Sequence, residues 1–136
     1  MKHVLEDKVY YGDTDAYGVV WHGTYLRWME KARVEFCREL GLDLKEMMNN
    51  DIITPVTNIN LRYKSSAKLD DTIVIETYVT KLTPLTIVFS QTIKSKETQK
   101  TFIQAEVEVV AVNSEGKIYR RLPDILKQAC EKSMQE

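Results

Sequence analysis

The sequence predicts an α+β domain, a curved five-stranded antiparallel sheet wrapped around one long central helix. Three observations lead there. Residues 23–40 carry apolar side chains at the helical period. After residue 55 the period drops to two and is held through four segments. The links between those segments are short and polar, which favours an antiparallel meander over parallel crossovers.

Residues 3–11 open the chain as a strand, with Val4, Val9, Tyr10 and Tyr11 as its β-formers. Residues 12–22 form a connection rich in Gly, Asp and Thr. In the helix that follows, Tyr25, Met29, Ala32, Phe36 and Leu40 fall on one face, widened by Leu26 and Val34. Thr24 is placed to cap its start and Gly41 to end it. "DLKEMMNN" gives a second short helix capped by Asp43. The strands are "TPVTNINLRY", "TIVIETYVT", "LTIVFSQTIK" and "TFIQAEVEVVAVN", and the last sets Ile103, Ala105, Val107, Val109 and Ala111 on one face. The turn signals are "KLDD", "LTP", "KSKETQK" and "NSEG". "LPDILKQACEKSMQE" closes the chain as a helix with Pro123 and Asp124 at its start. A helix of about 17 residues is ~25 Å long, and long strands can curl around it. The first strand must join the same sheet, because a lone strand leaves its backbone groups unpaired.

Composition bounds the function. The 136 residues are the size of one domain over 1–136, with no repeats or linker-like tracts. Hydrophobic residues make up 43% and charged residues 29%, which fits neither disorder nor a membrane protein. A net charge of -1 lacks the basic excess of a nucleic-acid binder. The first residues have no signal-peptide apolar core, and no apolar run approaches the ~20 residues of a membrane span. Cys37 and Cys130 have neither metal-type spacing nor a disulfide framework, and are expected as buried or half-buried free thiols in a cytoplasmic protein. His3 and His22 share no ligand spacing, so no metal and no cofactor is expected.

One stretch asks for more than a structural explanation. "YYGDTDAYGVVWHGTYLRWMEKARVEF" puts two aspartates, an apolar run and a helix N-terminus within 27 residues. On the residues alone, Asp15 can be a turn aspartate held by backbone N–H groups, or a carboxylate that attacks a carbonyl or activates water. Asp13 reads as structural, holding the loop. Gly18 permits a positive φ or a close approach. Val19, Val20 and Trp21 either line an acyl pocket or simply pack. Tyr25 and Trp28 suit a core or interface. Glu30 reads as a solvated helical acid beside Lys31 and Arg33. Arg62 and Lys64, with Lys94, Lys96 and Lys100, are basic groups that could meet phosphates, and no Gly-rich phosphate loop is present.

The stretch "YYGDTDAYGVVWHGTYLRWMEKAR" resembles the signature of the 4-hydroxybenzoyl-CoA thioesterase family, in particular its YbgC-type acyl-CoA thioesterase branch. The family's Asp, apolar turn, His or Tyr, and helix opening with an aromatic read here as Asp15, "AYGVVW", His22 and Tyr25. "LRYKSSAKLDD" resembles the family's basic–aromatic strand end and paired-aspartate turn. The resemblance implies a hotdog fold, and a homodimer or homotetramer with sheets joined edge to edge and active sites at the interface. It implies hydrolysis of an acyl-CoA or acyl carrier protein thioester. Asp15 would be nucleophile or general base, and the His22 backbone N–H would polarise the thioester oxygen. Gly18, Val19, Val20, Trp21, Tyr25, Arg62 and Lys64 would contact substrate. Tyr17 departs from the family, which more often has a small residue there, and bears on the acyl group accepted. Two other functions fit the same fold: a hydroxyacyl thioester dehydratase using His22 and Glu30, and a non-enzymatic acyl-ligand binding protein.

Overall fold

Strand β1 is His3–Lys8 and helix α1 is Thr24–Glu39, followed by a short α2 at Leu44–Asn49. Strands β2 (Val56–Tyr63), β3 (Thr72–Leu82), β4 (Thr86–Ser95) and β5 (Thr101–Val110) come next, and α3 (Asp124–Gln135) ends the chain. These elements come from a computed structural model that describes residues 1–136. The five strands form one antiparallel sheet in the order β1-β3-β4-β5-β2. The expected hotdog architecture is present, with the sheet as wrapping and α1 as filling.

The strand alternation sets one apolar face toward α1. Ile73, Ile75, Ile87, Phe89, Ile93, Ile103 and Val107 are buried there, against Tyr25, Met29, Ala32 and Phe36 of the helix. The core is therefore the meeting of a period-two face with a period-3.6 face. Two polar residues sit in it. Thr77 and Gln91 are fully buried, and the Gln91 amide Nε2 donates to the Thr77 hydroxyl and to the Met29 carbonyl. Burying an amide costs little when its hydrogen bonds are made.

Three expectations need correction. The first strand stops at Lys8 rather than residue 11, because the chain turns there into a short 3-10 segment, Tyr11–Asp13. The Asp13 carboxylate accepts the Tyr10 N–H at 2.9 Å and closes that turn. Thr24 is the first residue of α1 rather than its cap, which is Gly23. Its hydroxyl donates to the Asp13 carbonyl and accepts no N–H of the first turn, so it holds the loop to the helix rather than capping it. Leu26 does not widen the buried face. One residue from Tyr25 it turns about 100° away and is 38% exposed. The other ends match: Gly41 follows α1 at φ 83°, Asp43 accepts the Glu46 N–H ahead of α2, and Pro123 precedes α3.

A fourth correction concerns the site. Strands β3, β4 and β5 form the expected meander, but β2 is not part of it. β2 pairs with β5 at the far edge, with Leu61 opposite Ala105 and Tyr63 opposite Ile103. Residues 64–71 must then cross from that edge to the other side of the sheet, where β3 begins beside β1. The crossing passes along the loop that precedes α1. Val20 donates its N–H to the Ala67 carbonyl at 2.9 Å, and Val19 bridges to Lys68.

Candidate active site

The loop from Asp13 to Gly23 is held almost entirely by backbone. Asp15 N–H donates to the Val19 carbonyl at 2.8 Å, and Gly18 N–H donates to the Asp15 carbonyl at 3.1 Å, closing a tight turn. Gly18 takes φ 81° there, a conformation a side chain would strain. Trp21 N–H donates to the Asp13 carbonyl at 2.9 Å. Asp13 thus anchors both ends of the loop, with its carboxylate on Tyr10 and its carbonyl on Trp21 and Thr24.

Asp15 is placed differently. Its Oδ1 accepts the Tyr17 N–H at 2.8 Å, the short-range bond typical of aspartate in turns. Its Oδ2 accepts from no protein group, which leaves half of the carboxylate available. Tyr17 itself points away and is 90% exposed.

Asp15 lines a cleft of about 410 Å³ together with Val19, Val20, His22, Tyr25, Tyr63, Lys64, Ser65 and Ser66. The floor is aromatic. Tyr25 is buried and its ring meets those of Trp28 and Tyr63 edge-on. The Tyr25 hydroxyl accepts the Ala67 N–H at 3.0 Å. Burial raises the Tyr25 pKa above its ordinary value; the Ala67 N–H opposes this, and Tyr63, Asp71 and Asp15 add to the rise. Tyr25 therefore stays a neutral phenol beside the Asp15 carboxylate. The Tyr63 hydroxyl donates to the His22 carbonyl at 2.9 Å, tying the end of β2 to the start of α1.

At that start the N–H groups of His22 and Gly23 donate to no protein atom. They stand at the positive end of the α1 dipole, where unpaired donors favour negative charge. Gly23 stands close under the Trp21 ring. A Cβ on it would come within 2.3 Å of the Trp21 ring, and that ring also packs on His22 with centroids 4.9 Å apart.

The fold therefore brings together Asp15, Val19, Val20, His22, Tyr25 and Lys64 of the expected site residues. Gly18 shapes the turn and Trp21 covers the helix start; neither lines the cleft. Arg62 lies on the outward face of β2, one residue out of phase with Tyr63, and also falls outside it. Glu30 lies outside it as well, so His22 and Glu30 do not share a cleft within this chain. Tyr63, Ser65 and Ser66 are additional cleft residues, delivered by the end of β2 and the crossing segment. Tyr63 is the aromatic of the "LRYKSSAKLDD" strand end; no local pattern marks the serines. Of the basic candidates, Lys94 pairs with Glu76 and Lys96 with Glu6. Arg62, Lys64 and Lys100 have no carboxylate partner. Lys64 reaches the Lys100 end of the sheet through its N–H, which donates to the Phe102 carbonyl.

A carboxylate with a free oxygen in one cleft with His22, whose N–H is unpaired, is an arrangement that can serve acyl transfer. Residues 9–132 match the Thioesterase-like superfamily, and the chain belongs to that family; its class is thioester hydrolase. The 4-hydroxybenzoyl-CoA thioesterase resemblance and its YbgC branch are borne out. The chain is 35% identical over 116 residues to the acyl-CoA thioester hydrolase YbgC of Escherichia coli O6:H1, covering 85% of this chain and 86% of that protein. It is 35% identical over 116 residues to the putative esterase sll0410 of Synechocystis, covering 85% of this chain and 70% of that protein. Among solved structures, the DHNA-CoA thioesterase of Staphylococcus aureus superposes with a TM-score of 0.89 at 28% identity, over 98% of this chain and 91% of that one.

Proposed function

We propose that residues 1–136 form one hotdog domain that hydrolyses acyl-CoA thioesters, with Asp15 as the catalytic carboxylate. The observation that carries this is the meeting, in one cleft, of a half-free carboxylate and His22, whose N–H ahead of α1 is unpaired. A thioester placed there would direct its oxygen to the His22 N–H and its carbonyl carbon to Asp15 Oδ2. In the general-base route, Asp15 takes a proton from water as the water oxygen bonds to the acyl carbon. The oxyanion collapses, the C–S bond breaks, and the thiolate of CoA leaves with a proton. In the nucleophilic route, Oδ2 itself bonds to the acyl carbon and expels the thiolate, and water then cleaves the resulting anhydride. Both routes develop charge on the same oxygen, so the helix donors serve either. Single-turnover hydrolysis in isotopically labelled water separates them, because only the nucleophilic route can deliver an Asp15 oxygen to the product acid.

Val19, Val20 and Tyr25 would wall the acyl carbon. Lys64, with Arg62 and Lys100 at the same end of the sheet, would meet the phosphates of CoA as exposed cations. The YbgC relative is named as an acyl-CoA thioester hydrolase, which favours CoA as the carrier here. Thiol release across a panel of short, long and aromatic acyl-CoAs tests the activity; no release from any member overturns it.

The same proposal includes a symmetric dimer. β2 is an edge strand exposed on both faces, with Ile59 at 39% and Tyr63 at 49% exposure although both point toward the helix side. Such an edge calls for cover. Antiparallel pairing of two β2 strands would bring Val56 beside the partner's Tyr63, and would set each cleft at the interface. Light scattering should give about twice the 15.8 kDa chain mass or more; a monomer at micromolar concentration contradicts it. No helix is long and apolar enough to cross a membrane, and two free thiols suit the reducing cytoplasm.

A further inference from the structure

A second space of about 320 Å³ lies along the later turns of α1, and twelve of its sixteen lining residues are hydrophobic. Val34 and Cys37 of α1, Val56 of β2, Phe89 of β4 and Cys130 of α3 contribute to its walls. Arg33 is the one cation among them. Its Nη1 donates to the Gln91 Oε1 at 2.9 Å, and Gln91 is fixed in that orientation because its Nε2 is already used on Met29 and Thr77.

The remaining donors of Arg33 have no acceptor. A guanidinium carries five N–H groups, and no carboxylate stands within ion-pair distance of Arg33. Glu30, one turn back, lines the same space but is exposed and lies beyond that distance. The only side-chain nitrogen or oxygen sealed off without a partner in the whole chain is His3 Nδ1. The unused donors of Arg33 are therefore not sealed off, and Arg33 lines this cavity. Burial pulls the Arg33 pKa below its ordinary value, with the charges of Glu30 and Cys37 opposing, and the group remains a cation. A cation with one neutral partner in an apolar wall is under-compensated.

We propose that this cavity binds a carboxylate carried on an apolar chain, with Arg33 taking the carboxylate and the apolar wall taking the chain. Two sources have that chemistry: the free acid that hydrolysis releases, and the distal carboxylate of a dicarboxylic acyl group. The second source rests on the thioesterase reading; the first does not need it, since binding is measured without turnover.

Octanoate and octan-1-ol are the probes, and Cys37 is the reporter because it lines the cavity and is half-buried. Octanoate should slow alkylation of Cys37, followed by peptide mass, at a concentration at least about tenfold below that needed for octan-1-ol, the usual worth of a charge-assisted hydrogen bond. Arg33→Gln should erase that preference. Val34→Trp, which fills the cavity and leaves the Arg33–Gln91 bond alone, should weaken both probes. Asp15→Asn should leave octanoate binding unchanged while lowering kcat by roughly 10²–10⁴, so failure of the thioesterase reading and failure of this one are distinguishable. A kcat/KM for ω-carboxyoctanoyl-CoA at least about tenfold above that for octanoyl-CoA, lost in Arg33→Gln, assigns the distal carboxylate; octanoate binding without that preference assigns the free acid. Equal protection by octanoate and octan-1-ol, no protection by either, or an octanoate preference that survives Arg33→Gln overturns the proposal. If Arg33→Gln does not fold, the comparison of the two probes on the unsubstituted protein decides.

Discussion

The two ends of α1 meet their surroundings in opposite ways. At the N-terminal end the chain is loop, and what it offers is backbone: unpaired N–H groups of His22 and Gly23, a turn closed by Gly18, and a carboxylate fixed by the Tyr17 N–H. Toward the C-terminal end it is packed side chain, with Cys37 and Cys130 facing one apolar space and Arg33 reaching Gln91. The first end is chemically prepared and structurally thin; the second is the reverse. Substitutions should divide accordingly. Changes at the first end should alter turnover with little change in melting, and changes at the second should alter stability first.

The largest expected effect is at Asp15. Asp15→Asn keeps an oxygen to accept the Tyr17 N–H, so the turn survives and the melting temperature should stay close to that of the parent. What is lost is the charge that activates water or attacks carbon. Thiol-release kinetics should show kcat down by roughly 10²–10⁴, the usual worth of a positioned acid–base group. KM should move little, since the group acts mainly in the transition state. A fall in stability without a fall in turnover per folded molecule would move Asp15 into the structural class.

Next comes Gly23. A methyl group there meets the Trp21 ring at 2.3 Å, so ring or backbone must shift. A displacement near 1 Å at a reacting centre can cost about 10² in rate, and Gly23→Ala should lose about that much. Trp21→Ala in the same chain removes the obstacle, and the double variant should recover most of the activity. Recovery separates displacement of the helix start from a simple lack of tolerance at that position.

At the other end the thiols give a pH test. Burial pushes the Cys37 pKa up to about 11 and that of Cys130 to about 12, with Arg33 opposing at Cys37 and Cys37 adding at Cys130. An unfolded thiol ionises near its ordinary value of about 8.5. Above that pH the folded chain holds protons that the unfolded chain has released, so stability falls as pH rises. The loss begins near the unfolded value and continues until the folded thiols ionise, with a limit of about 1.4 kcal/mol per thiol per pH unit. Denaturant midpoints between pH 8 and 10.5 should fall with pH, and more steeply than those of a Cys37→Ala, Cys130→Ala chain. Equal slopes would mean that the thiols are not protected in the fold.

Legibility in the sequence follows the same division. Helix α1 and strands β3, β4 and β5 are readable because each repeats a pattern over ten residues or more, and tertiary packing uses that pattern. Leu26 leaves the expected face because one step along an α-helix turns a side chain by about 100°. The position of β2 was not readable, since pairing with β5 rather than β3 is decided across 40 residues and short polar links look alike whichever strands they join. That one topological choice carries Ser65 and Ser66 into the cleft, which is why no local signal marked them. Asp15 and His22 stood out through their spacing around an apolar turn. The donors themselves are backbone N–H groups, which no side-chain identity announces. Arg33 has no local mark in the sequence, because its partner, Gln91, comes from a strand 58 residues on.

The smallest expected effect is the one that best isolates what makes Asp15 special, since Asp13 has the same side chain two residues earlier in the same loop. Both carboxylates accept a backbone N–H, Asp13 from Tyr10 at 2.9 Å and Asp15 from Tyr17 at 2.8 Å. The difference is in what surrounds them. Asp13 is away from the Asp15 cleft, beside Lys8, Arg27 and Lys31, and its backbone carbonyl already holds Trp21 and Thr24. Asp13→Ala keeps that carbonyl and loses only the bond to the Tyr10 N–H, which is exposed enough for water to replace it. The cost should be about 0.5–1.5 kcal/mol, the net worth of one such hydrogen bond, visible as a small drop in denaturant midpoint. Turnover per folded molecule should fall by less than about threefold, because the loop remains anchored through the Asp13 carbonyl and the Val20–Ala67 bond. If Asp13→Ala instead reduced kcat as far as Asp15→Asn while melting normally, the carboxylate of Asp13 would have to reach the substrate, and the chemistry would belong on the other side of the loop.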